Sequence, residues 1–316
     1  MEKEFIKAEK GGGGMRPSYF GDLEGIVDFE YLEPKTVKEA CSLLSQHKEK
    51  AKVIAGGTQL LALLKRKEIT VHTLINLKSI PNLENITFDD AEGLKIGALT
   101  TLFEISRSPL VHDKAKIFLE AIQQRETRLT QMRWAYYMAT LGGLLSHAVT
   151  SADILPPLIV LGAKAVIEGP KGWKTLALED LFDDTGKAVF QNDEVLIEVR
   201  IPEQPAETGL IYLKNPGTPT LRVAVLLKLD AKHVNTEAFR IVVAGITPRP
   251  AKAREAEGIL KGKAIDNDLI EEAVQVAAGE MSNGSNTETK DRLKEFIEEA
   301  IRQAVDLAIG DFALGY

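Results

Sequence analysis

The sequence holds one cysteine, Cys41, in 316 residues. That excludes an internal disulfide, and it equally excludes a cysteine-ligated iron–sulfur cluster or a thiolate zinc site built from this chain alone. Histidine offers no substitute. His47, His72, His112, His147 and His233 are scattered, with no pair one helical turn apart, so a metal enzyme is not expected. Basic residues are not in excess either: 39 Lys and Arg against 46 Asp and Glu give a net charge of −7, the wrong sign for a nucleic-acid partner. Long apolar runs are missing too. The longest, Ile154 to Ala163, contains Pro156 and Pro157 and falls far short of the ~20 residues that a membrane span needs. The opening stretch MEKEFIKAEKGGGGM has no apolar h-region, so the cytoplasm is the expected compartment.

What remains is an ordinary globular composition, 44% apolar and 27% charged, at a length that predicts more than one domain. Residues 1–26, with Gly11 to Gly14 and few apolar residues in periodic order, read as a flexible arm that orders on a partner. A first unit is expected over 27–86. There Thr36 and Glu39 have capping-box spacing, and Val37, Ala40, Cys41 and Leu44 share one helix face, which puts Cys41 in the core. A strand at 52–55, a helix at 58–67 and a strand at 73–77 then read as a βαβ-like unit. A second unit is expected over 87–206, with strands at 93–100, 164–168 and 195–201 and helices in TLFEISRS and KIFLEAIQQRE, ending near Pro202 and Pro205. From 207 to 316 the period changes. GLIYLKN, LRVAVLLKLDA and EAFRIVVAGI are strand-like at hairpin spacing, and 252–260, 268–279 and 288–309 are helical, which predicts a small antiparallel sheet with a helical layer.

Two glycine pairs carry the chemistry. In VIAGGTQLLALLK, residues 53–65, a short apolar run passes through Gly56, Gly57 and Thr58 into a leucine-rich helical pattern. In ATLGGLL, residues 139–145, Thr140 precedes Gly142 and Gly143. Glycine leaves the backbone bare, so amides approach an anion without a Cβ in the way, and a helix start adds positive dipole. One such turn is ordinary turn chemistry. Two in neighbouring units, with Asp153 ten residues beyond the second, point to two loops clasping one pyrophosphate. Asp153 has a second reading, as the cap of the helix that begins at Ile154, and Lys214 a second reading as a solvated strand lysine.

FEYLEPKTVKEACSLL, VIAGGTQLLALLK, LKIGALTTLFEI, ATLGGLL, SADILPPLIVLGA and AGITPRPAKAREAEGILKGK, in this order, resemble the FAD-binding medium subunit of the molybdenum hydroxylases, the xanthine dehydrogenase and carbon monoxide dehydrogenase family. The resemblance implies an α+β fold: two α/β FAD-binding subdomains of the PCMH type, followed by a C-terminal domain with a small antiparallel sheet and helices. It implies FAD as the cofactor. Ile54, Ala55, Gly56, Gly57, Thr58, Gln59 and Leu60, together with Thr140, Gly142, Gly143 and Leu144, would wrap its diphosphate. Asp153 would bind a polyol hydroxyl, and Leu196 and Lys214 would contact the flavin. No catalytic residue is implied, because the flavin carries the electrons. A molybdenum-cofactor large subunit and an iron–sulfur small subunit would be the partners, with NAD or a quinone as acceptor.

The sequence also departs from that family. Gln59 stands where the family has Asp, and Leu144 stands where it has Asn, which removes one side-chain hydrogen bond worth about 1 kcal/mol. The stretch QMRWAYYMAT, 131–140, carries extra residues, and Trp134, Tyr136 and Tyr137 form an aromatic cluster that would stack on the flavin, fill its slot or meet another subunit. A flavin-free scaffold or nucleotide-binding module that keeps the fold for assembly is the alternative reading.

Overall fold

Thr36 opens the first helix as its spacing predicts. Its hydroxyl accepts the Glu39 amide, and the Glu39 carboxylate reaches back to the amide of Lys35 at 2.8 Å. This helix, α1 (Val37–His47), belongs to a computed structural model that describes residues 29–126, 133–146, 153–205, 208–215, 220–232, 234–282 and 287–313. The expectations for the arm at 1–26, for His147 and for the side chain of Trp134 lie outside the described residues.

The first sheet is parallel. Strands β1 (Glu30–Leu32), β2 (Ala51–Ile54) and β3 (Thr73–Asn76) pair in the order β1-β3-β2, with the short helix α2 (Leu60–Lys65) crossing between β2 and β3. The crossover is the predicted βαβ-like unit, with a helix shorter than the pattern suggested. Its limits are set by two residues in the left-handed region, Gly57 at φ +70° and Lys67 at φ +57°.

The second sheet is antiparallel throughout: β4 (Ile86–Asp89), β5 (Gly93–Gly97), β6 (Lys164–Gly169), β7 (Gly172–Ala177) and β8 (Val195–Ile201), in the order β4-β5-β8-β6-β7. Between β5 and β6 run α3 (Leu102–Arg107), α4 (Pro109–Lys114), α5 (Lys116–Glu126), α6 (Arg133–Met138), α7 (Leu141–Leu145) and α8 (Leu155–Val160). Thr101 and Glu104 form a full capping box at α3. The strand expected at 93–100 stops at Gly97, because Ala98 to Leu102 leave the sheet to bond the chain around Thr140. Gly142 donates to the Ala98 carbonyl, Leu141 to that of Thr100, and Leu102 to that of Ala139.

The third sheet, in the order β12-β11-β10-β9, contains β9 (Thr208–Lys214), β10 (Arg222–Leu229), β11 (Thr236–Ala244) and β12 (Ala251–Lys252) and is antiparallel. At the β10–β11 turn Asp230 accepts the amides of Val234 and Lys232 and the amide group of Asn235, which holds its carboxyl at about 2. Ala224, Leu226 and Val242 pack toward α5 and α8, whereas Val223, Val225 and Leu227 pack toward α9 (Arg254–Leu260), α10 (Asn267–Met281) and α11 (Thr287–Ala313). One sheet thus shares its core with the second unit on one face and with the C-terminal helices on the other. The stretch PRPAKAREAE is a docking turn. Arg249 bonds Asp184 and the Glu179 carbonyl, and Lys252 and Arg254 both bond the Glu179 carboxylate.

The face of α1 with Ala40, Cys41 and Leu44 packs on Val166, Val195 and Ile197 of the second sheet, so the first two units share a core. Cys41 is 1% exposed and its Sγ lies 3.4 Å from the Glu168 carbonyl. Burial foremost, and then the nearby Glu168, push its thiol up to about 11. The native protein is therefore expected to leave Cys41 unmodified by a thiol reagent at pH 8, with full reaction after denaturant is added. Rapid labelling of the folded protein would contradict this packing.

Candidate functional site

Gly56 is where the two glycine loops meet. A Cβ built on it would stand 1.8 Å from the Met138 carbonyl oxygen and 3.4 Å from the Ala139 Cα, so only a glycine lets the first loop lie against the backbone that enters the second. Next to it the chain turns through Gly57 at φ +70°. The amides of Gly56, Gly57, Thr58, Gln59 and Leu60 find no acceptor among the described residues. The N-cap, Gln59, makes no side-chain cap bond, and the whole stretch from Ile54 to Leu60 is half-buried. Amides at a half-buried loop that opens a helix are donors available to water or to an anion, and bare glycine backbone favours the anion.

The second loop differs. Leu141 and Gly142 spend their amides on Thr100 and Ala98, while Gly143 and Leu144 spend theirs on the Thr140 hydroxyl and carbonyl. Its amides are therefore engaged inside the protein, and what the loop offers is shape. Gly143 is exposed, and a Cβ there would meet only the Thr140 hydroxyl, at 3.0 Å. Leu144 turns its side chain into the core with Leu141 and Leu145, away from solvent.

Asp153 is buried just ahead of α8, whose N-cap is Ile154 without any side-chain cap bond. The carboxylate instead takes two cations on Oδ1: the Arg222 Nε at 2.5 Å and the Lys214 Nζ at 3.4 Å. These are cross-strand neighbours, since Arg222 of β10 lies in register with Lys214 of β9. Lys214 is thus an ion-paired, largely buried lysine and not a solvated strand residue. Leu196 lies in β8 as part of the core of the second unit, one residue before Ile197, whose carbonyl accepts the Ala98 amide.

Arg222, which the sequence reading does not single out, joins Asp153 and Lys214 in this cluster. The signal is an arginine opening the otherwise apolar strand RVAVLLKL, at a position that the sheet buries. Of the aromatic cluster, Tyr136 is a core residue set edge-on to Phe103 at 6.2 Å, while Tyr137 is 43% exposed and tilts over Phe103 at 4.6 Å. Among the described residues no group of His, Cys, Asp and Glu is arranged to hold a metal ion.

Loop amides without a partner among the described residues and an uncovered glycine fit a diphosphate-bearing cofactor. Residues 27–204 match the family model described as the FAD binding domain in molybdopterin dehydrogenase, and residues 218–295 match the CO dehydrogenase flavoprotein C-terminal domain. The chain is 28% identical over 253 residues to the carbon monoxide dehydrogenase medium chain of Hydrogenophaga pseudoflava, covering 79% of this chain and 85% of the relative. It is 28% identical over 261 residues to the nicotinate dehydrogenase FAD-subunit of Eubacterium barkeri, covering 79% and 86%. In structure it is similar to the Hydrogenophaga pseudoflava carbon monoxide dehydrogenase that lacks the Mo-pyranopterin moiety of the molybdenum cofactor, with a TM-score of 0.76 at 27% identity over 89% of this chain and 97% of that one. The chain belongs to the FAD-binding medium subunits of the molybdenum hydroxylase family. It is an oxidoreductase flavoprotein subunit, and FAD is its cofactor.

The geometry separates the glycines by role. Gly57 needs its positive φ whether or not a ligand is bound, so replacing it confounds fold with binding. Gly56→Ala is expected to destabilise the apoprotein by about 1–3 kcal/mol, because a backbone contact cannot yield as a flexible side chain does. Gly143→Ala is expected to leave stability within about 0.5 kcal/mol. Urea unfolding of both variants, without FAD, checks the pair.

Proposed function

We propose that this chain is the electron-transfer subunit of a molybdenum hydroxylase-type complex. It would receive electrons from the clusters of an iron–sulfur small subunit, which is fed by a molybdenum-cofactor large subunit, and pass them through FAD to NAD, a quinone or another acceptor. The observation that carries the reading is the run of unsatisfied amides at Gly56 to Leu60, set by Gly56 against the second loop. In this reading those amides hold the diphosphate, uncovered Gly143 leaves room for it, and Asp153 with Lys214 and Leu196 orient the rest of the cofactor. FAD supplies the step between paired and single electrons, and the chain itself binds, orients and shields it. The single cysteine supports an external source of electrons, since relay clusters need thiolates that this chain lacks. Among the described residues no helix is long and apolar enough to cross a membrane, and we place the complex in the cytoplasm.

The flavin-free alternative draws on Gln59, on Leu144 and on the engaged amides of the second loop. One preparation separates the two. Tagged chain recovered from its native cell is expected to carry oxidised-flavin absorbance that dithionite bleaches, and to bring down an iron–sulfur polypeptide and a molybdenum-cofactor polypeptide. A colourless chain that takes up no FAD on reconstitution would establish the scaffold reading. A flavin-loaded chain without partners, oxidising substrate unaided, would contradict the subunit role.

A further inference from the structure

Arg222 has no part in the flavin site as the sequence presents it, yet it bonds the one acidic residue proposed for that site more closely than Lys214 does. Its side chain is 6% exposed and that of Asp153 is 10% exposed. Nε reaches Oδ1 at 2.5 Å, and a terminal nitrogen also bonds the Thr220 carbonyl. A guanidinium tied at one end to a backbone carbonyl is a fixed donor and not a swinging one. The partner it fixes sits 69 positions earlier in the chain, just ahead of α8 in the second unit. Strand register explains the placement: Arg222 pairs with Lys214 across β9 and β10, so both cations rise from one edge of the third sheet onto the same carboxylate oxygen.

A buried carboxylate is costly unless it is paired, and an unpaired one takes a proton or turns toward solvent. Either change would spoil it as an acceptor for a polyol hydroxyl. Lys214 at 3.4 Å is the weaker holder, being longer, more mobile and itself expected at the flavin. We infer that Arg222 is a positioning residue of the flavin site, holding the Asp153 carboxylate ionised and in a fixed orientation so that Lys214 and Asp153 both reach the cofactor. The inference rests on the FAD-binding reading above.

The test uses the full chain, freed of flavin and titrated with FAD by fluorescence quenching, with the melting temperature of every apo variant measured alongside. Asp153→Asn and Arg222→Met are each expected to raise the Kd about tenfold, and Arg222→Lys to restore most of the loss. The double variant is expected to bind no worse than Asp153→Asn alone, since Arg222 acts through a carboxylate that is already gone. That variant removes Asp153 and Arg222 together, so neither is left facing the other's absence, and it keeps the question answerable where Arg222→Met does not fold. There, Arg222→Gln is titrated in place of Arg222→Met: a Kd raised about tenfold supports the role, and a Kd within about twofold of the wild type, or a double variant that binds about tenfold worse than Asp153→Asn, overturns it. A Kd for Arg222→Met within about twofold of the wild type, with only its melting temperature lowered, would make Arg222 structural and overturn the proposal. Wild-type chain that ignores FAD at high micromolar concentration would overturn the flavin reading itself, and this proposal with it.

Discussion

Everything at the site depends on the backbone of Gly56 lying against that of Met138 and Ala139. A side chain at 56 would push the parallel unit away from the antiparallel one, and the two glycine loops would no longer face each other. The contact is not isolated, because the packing of α1 on β6 and β8 closes the same two units from their apolar side. Burial there holds the units together at large. The Gly56 contact then sets their spacing at the place where we propose that the diphosphate binds.

The loops are unequal partners in that arrangement. The second is a helix start that satisfies itself: Thr140 caps α7, and Ala98 and Thr100 absorb the amides of Gly142 and Leu141. It is rigid before any ligand arrives. The first loop makes no bond from these amides to the described residues, which leaves them available to a bound anion. The Asp153 cluster ties the chain ahead of α8 to Lys214 and Arg222 of the third sheet.

Much of the fold was legible in the sequence where local chemistry and packing agree. The Thr36 cap, the buried face around Cys41 and the apolar strand Val195–Ile201 follow directly from residue spacing. Strands β4 and β7 did not, because they are edge strands formed by pairing with β5 and β6, and the alternation of β4 is only four residues long. The strand at 93–97 was read too long, to residue 100, for a related reason: the carbonyls of Ala98 and Thr100 are taken by Gly142 and Leu141 instead of by a neighbouring strand. At the site, both glycine loops were legible, since glycine is the residue that a close backbone approach demands. The state of their amides was legible only in part: Gly143 and Leu144 bond Thr140 beside them, but Leu141 and Gly142 bond Thr100 and Ala98, about forty positions away. Arg222 was hidden by the same distance, a charge whose meaning lies in a carboxylate on another unit.

The central claim is that the first loop receives the diphosphate through amides that are unspent beforehand, while the second serves as a rigid wall. Amide hydrogen exchange, read residue by residue with and without FAD, tests this directly. The amides of Gly56 to Gln59 are expected to exchange quickly in the apoprotein and to become protected when FAD binds, whereas those of Gly142 to Leu144 are protected in both states. Protection that appears on FAD binding only at Gly142 to Leu144, with Gly56 to Gln59 unchanged, would contradict the account.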